Sequence, residues 1–113
     1  MTRDIPEKTV VVTGAGGGVG AAVAGRFSSK GWNVVLVGRK RESLERTASK
    51  LAGVHLIHAC DVSDSTAVDG LMDAARERFG GLDALVNAAG VNIAGRAWRD
   101  VSVEDFDRVV RIN

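Results

Sequence analysis

The sequence predicts an α/β fold built on a parallel sheet, and three observations carry that prediction. Short, wholly apolar, β-branched runs recur along the chain and are closed by glycine. Between them lie stretches with apolar residues at helical spacing. The junction after the first run is a cluster of glycines rather than an ordinary loop. Strands alternating with helices imply right-handed β-α-β units.

Val10, Val11 and Val12 make the first strand, stopped by Gly14. A run apolar at every position suits a strand covered on both faces. Val19, Ala22, Val23 and Phe27 then form a helical stripe, with Gly31 as its C-cap. Val34 to Val37 form the second strand, closed by Gly38. Leu44, Thr47, Ala48 and Leu51 mark a second helix ending near Gly53. The third strand runs from Val54 to Cys60, and Ser63 or Asp64 can cap the helix that follows. That helix shows Val68, Leu71, Met72, Ala75 and Phe79 on one face and is broken at Gly80-Gly81. Leu82 to Val86 form the fourth strand, left through Asn87-Ala88-Ala89-Gly90. Residues 91–100 read as loop. Ser102 and Asp105 resemble a capping box for a last helix carrying Phe106, Val109, Val110 and Asn113.

The 113 residues make one small domain, and 45% of them are apolar, enough for a packed core. Fifteen basic and fourteen acidic residues leave a formal charge of +1. That balance argues against nucleic acid or an anionic membrane as a partner. The N-terminal stretch is polar and charged, unlike a signal peptide, and no apolar run is long enough for a bilayer span. The one cysteine, Cys60, excludes an internal disulfide and fits a reducing compartment. A cytoplasmic location is the expectation.

The glycine cluster carries the chemistry. Thr13, Gly14, Ala15, Gly16, Gly17, Gly18, Val19 and Gly20 lie between a buried strand and an amphipathic helix. Glycine there lets backbone amides reach a diphosphate without obstruction and supplies positive φ. The helix behind it points free N–H groups and its positive dipole end at the phosphates. A strand before and a helix after form the context that makes such a cluster a dinucleotide-binding turn.

The spacing T-G-x-x-x-G-x-G differs from the more common G-x-G-x-x-G and resembles the short-chain dehydrogenase/reductase family. Asp61-Val62 follows the third strand, where the family places an Asp against the adenine ring. Asn87-Ala88-Ala89-Gly90 resembles the family's N-N-A-G motif, with Ala88 replacing the second Asn. Asn113 falls where the family carries a catalytic Asn. The resemblance spans Lys8 to Asn113. It implies a Rossmann-type doubly wound sheet of about four strands, order 3-2-1-4, as the N-terminal dinucleotide-binding part of one domain. It also implies hydride transfer between a nicotinamide cofactor and a carbonyl or alcohol substrate, and a homo-oligomer.

Family members that use NAD tend to carry an acidic residue after the second strand. Here the strand ends Gly38-Arg39-Lys40-Arg41. A guanidinium pairs with a 2′-phosphate through charge-assisted bonds. NADP(H) is therefore favoured, with Arg39 as the contact, and NAD(H) remains the alternative. Gly17 stands where some NADP-using relatives have a basic residue. Arg39 also reads as a solvated helix start paired with Glu42 or Glu45.

The family's Tyr-x-x-x-Lys pair has no counterpart in this sequence, which contains no tyrosine and whose last lysine is Lys50. The expectation is an inactive fragment of a longer oxidoreductase that retains the cofactor site. Its fourth strand would be an apolar edge prone to self-association. The competing readings are a non-catalytic dinucleotide-binding module, a pseudoenzyme or redox-sensing regulator, and an assembly needing a complementary chain. His55 and His58 lack metal-ligand spacing and read as structural. Cys60 reads as a small core residue, and Trp32 and Trp98 as packing anchors.

Overall fold

The computed structural model describes residues 8–88. Strands and helices alternate as β1 (Thr9–Thr13), α1 (Gly18–Ser29), β2 (Asn33–Gly38), α2 (Arg41–Ala48), β3 (His55–Ala59), α3 (Ser65–Phe79) and β4 (Ala84–Asn87). The strands form one parallel sheet in the order β3-β2-β1-β4. The last helix expected from sequence, with Asn113, lies outside the described residues, as do Ala89, Gly90 and Trp98.

The handedness of β-α-β connections decides which helix covers which face. The chain steps from β1 to β2 to β3 in one direction, so α1 and α2 cover the same side. It then crosses back past β1 to β4, which puts α3 on the other side. The core divides accordingly. Val10, Val12, Val34 and Leu36 meet Ala24, Leu44 and Ala48 on the first face. Val11, Val35 and Val37 meet Leu71 and Ala75 on the second. The central strands carry three valines each, and every one is buried because both faces of these strands are covered. Each such fully buried side chain contributes about 1.5–3 kcal/mol. The outer strands, β3 and β4, are only partly covered.

α1 departs from the stripe read in the sequence. Its buried residues are Gly20, Ala24 and Ser28, one per turn, flanked by partly buried Val23 and Phe27. Val19 is 73% exposed, and Ala22 also faces out. The small ridge allows a very close approach. A Cβ on Gly20 would stand 2.0 Å from the Gly14 carbonyl oxygen. Hydrophobicity alone could not reveal this, because the helix packs by lacking side chains rather than by supplying them.

The helix ends follow the expected chemistry more closely. Gly31 takes φ 85 just past α1, and Asp64 caps α3 by accepting from the Thr66 and Ala67 amides. At the amino-terminal edge of the sheet the Thr9 amide donates to Asp83 at 2.8 Å, and the Asp83 amide returns a bond to the Thr9 carbonyl. The Asn33 amide group donates to the Thr9 hydroxyl at 3.1 Å. Trp32 packs edge-on against Phe27, beneath the Lys8 ammonium. Among the described residues, no helix is long and apolar enough to cross a membrane.

Two glycines of α1 should behave oppositely on substitution. Gly20→Ala should prevent stable folding, because backbone lies where the methyl must go. Gly25→Ala meets nothing within 4 Å and should raise stability by about 0.5–1 kcal/mol, as helix propensity dictates. Urea unfolding followed by circular dichroism checks both.

Candidate functional site

β1 and β2 end side by side, and the glycine turn and Arg39 leave from their carboxyl ends. This edge is where open α/β sheets bind ligands, and the strand order reverses between β1 and β4. The turn is held mainly through its backbone. The Ala15 amide donates to the Val37 carbonyl at 3.0 Å. Gly14 and Gly18 have φ of 61 and 57, a region that side chains disfavour. Gly17 opens α1 without a capping side chain, so the first-turn amides have no side-chain acceptor there. An added Cβ on Gly17 or Gly18 would meet nothing within 4 Å. The turn is thus open on its outer side and in backbone contact on its inner side.

Seven of the residues selected from sequence line two hollows. Gly14, Gly16, Gly17 and Arg39 line one of about 230 Å³, joined by Lys40 and Ser43 at the start of α2. Thr13, Val62 and Asn87 line a second of about 280 Å³, which is apolar and lies on the α3 side with Val11 and Leu85. Leu85 pairs in register with Val11 but is 61% exposed. The Thr13 hydroxyl donates to the Asn87 side-chain oxygen at 2.7 Å, tying the ends of β1 and β4 across the switch point. Val19 is exposed at the start of α1, and Ala88 is partly buried just after β4.

Asp61 sits just beyond β3 and is exposed. One of its oxygens accepts from the Ser63 amide at 3.0 Å and the Ser63 hydroxyl at 2.7 Å. Those bonds, with the Arg39 charge nearby, hold its carboxyl below the usual carboxylate range. The Ser63 bonds are the larger cause and the Arg39 charge the smaller one. The ion pair seen on α2 is a different one, Arg41 to Glu45 at 3.3 Å on the solvent side.

Lys40 and Ser43 were not singled out in the sequence. Their signal was present, since Lys40 is the N-cap and Ser43 lies in the first turn of a helix that starts just past the carboxyl end of a strand.

These features give the chain the Rossmann-type fold of dinucleotide-binding domains. It belongs to the short chain dehydrogenase family, whose model it matches over residues 8–113. It is 41% identical over 117 residues to 3beta-hydroxysteroid dehydrogenase 1 of Eggerthella lenta, covering 100% of this chain and 44% of that protein. Among solved structures, a metagenomic short-chain oxidoreductase in complex with NADP superposes with TM-score 0.80 at 32% identity, covering 96% of this chain and 50% of that one. NAD+-bound xylitol dehydrogenase superposes with TM-score 0.81 at 34% identity, covering 97% and 44%. The chain thus spans about half the length of the relatives it matches. Similar structures hold either form of the cofactor.

Cys60 lies beside this edge, its amide donating to the Gly38 carbonyl at 2.8 Å. Burial, then the charges of Asp61 and Asp64, push its thiol pKa up. The thiolate is the reactive form, so a raised pKa means less of it at neutral pH. Iodoacetamide should therefore modify Cys60 more slowly than free cysteine at pH 7. Mass spectrometry should show the rate climbing only as the pH passes above the ordinary thiol range.

Proposed function

We propose that residues 1–113 act as one dinucleotide-binding unit that favours NADP(H) over NAD(H). In the whole protein this unit would serve an oxidoreductase moving hydride between the nicotinamide and a carbonyl or alcohol substrate. The observation that carries the cofactor preference is the hollow beside the glycine turn. It presents Arg39 and Lys40 and no carboxylate among its lining residues.

The residues present fit such a cofactor. Gly20 has no room for a side chain on its inner side, while Gly17 and Gly18 are open on theirs, which gives a cradle for a diphosphate. Amides of Gly16 to Val19 and the α1 dipole would hold the phosphates. Arg39 would pair with the 2′-phosphate, aided by the Ser43 hydroxyl and the first-turn amides of α2. Asp61 spends one oxygen on Ser63 and would present the other to the adenine amine. The exposed Val19 offers an apolar side chain for the cofactor to cover. Thr13 and Asn87 would steady the far wall, which Val62 also lines, and Ala88, Ala89 and Gly90 are proposed as further cofactor contacts. Asn113 is proposed as a catalytic residue. The nicotinamide, when bound, supplies the hydride chemistry.

Fluorescence titration with NADPH and NADH tests the preference. The wild type should bind NADPH more tightly. Arg39→Ala should weaken NADPH binding about tenfold to a hundredfold, the value of a charge-assisted pair, and leave NADH binding nearly unchanged. Arg39→Asp should favour NADH. Equal affinity for both cofactors in the wild type would refute the preference.

A further inference from the structure

The glycine turn contains almost nothing with which to hold itself. Gly14, Gly16, Gly17 and Gly18 have no side chains, and glycine has the most conformational freedom to lose. Its shape must be imposed from outside. One constraint comes from β2, whose Val37 carbonyl accepts from the Ala15 amide. The other comes from α2.

We infer that Thr47 is a positioning residue, holding the turn in its cofactor-binding shape through the Ala15 carbonyl. This rests on the dinucleotide-binding reading above. Thr47 lies on α2 and is 6% exposed. A threonine within a helix has a ready acceptor one turn back. The Ser43 carbonyl is indeed present, but at 3.4 Å. The Thr47 hydroxyl instead makes its short bond, 2.7 Å, to the Ala15 carbonyl, and that bond is buried.

Both backbone polar groups of Ala15 are therefore taken, the N–H by β2 and the C=O by α2. The peptide that leads into Gly16 starts from a fixed orientation. A second contact reinforces the first. A Cβ on Gly16 would stand 2.8 Å from the Ser43 Cβ. Ser43 and Thr47 are one turn apart, so a single ridge of α2 bears on the turn at two points.

Without the hydroxyl the Ala15 carbonyl is left buried and unpaired, at a cost that favours rotation of its peptide. Rotation would turn the following amides away from a diphosphate. The ligand would then have to order the turn as it binds, and affinity falls by that amount. Because both cofactor forms share the diphosphate, the loss must be the same for both.

The test measures affinities of NADPH and NADH for the full protein by fluorescence titration, beside thermal unfolding. Thr47→Val should weaken both cofactors by the same factor, about tenfold, leaving their ratio unchanged, while Thr47→Ser stays within about twofold of wild type. A folded Thr47→Val protein that binds as tightly as wild type would overturn the inference while leaving the cofactor reading intact. Loss of NADPH affinity alone would also overturn it. If Thr47→Val and Thr47→Ala both fail to fold while Thr47→Ser folds, the hydroxyl serves the fold and not the ligand, and the inference fails. Wild type that binds neither cofactor overturns the underlying reading, a result distinct from the others.

Discussion

Backbone lying against backbone where α1 crosses the end of β1 is the contact on which the remaining architecture depends. Gly20 sits against the Gly14 carbonyl with no space for a single extra carbon. That approach lets the helix start directly over the strand end and aim its first amides at the open edge of the sheet. It also explains the rest of the buried ridge. A helix held so close at one end can lay only small residues against the sheet along its length, and Ala24 and Ser28 fill that role. Ser28 contributes further, since its hydroxyl accepts from the Gly53 amide at 3.0 Å and ties α1 to the segment before β3.

Sheet topology then gathers the site. Residues far apart in sequence meet because every parallel strand ends on the same edge. Thr13 and Asn87 are separated by 74 positions yet join at 2.7 Å. Thr47 and Ala15 are separated by 32 and join at 2.7 Å. In both cases a hydroxyl from one element holds a group at the end of another. The polar contacts at this edge are few and short, while the hydrophobic mass lies below them between the helices and the sheet.

The charges at the edge are divided by strand. Basic residues follow β2, and acidic residues follow β3. Ser63 donates twice to Asp61 and holds its carboxyl below the usual carboxylate range, with a smaller contribution from the Arg39 charge. Similar structures bind NADP in one case and NAD+ in another on the same fold. In folds of this kind a carboxylate after the second strand repels a 2′-phosphate, whereas a guanidinium there attracts it.

By itself the sequence determined the order and type of the described elements, the parallel sheet and the glycine turn, and narrowed the α3 cap to Ser63 or Asp64, of which the structure uses Asp64. Each of these follows from local pattern: β-branched runs for buried strands, periodic stripes for helices, and residue types that tolerate a particular backbone or hydrogen bond. The family resemblance supplied the strand order and most of the candidate site. Tertiary structure decided what local pattern cannot carry. It turned Val19 and Ala22 outward and put glycine, alanine and serine on the buried face of α1, because closeness of approach depends on the surface opposite. It also gave Thr47, which in sequence is one more residue on a helical stripe, the Ala15 carbonyl as its partner. Such partners are set by how helices and strands are stacked, and spacing along one chain segment does not contain that information.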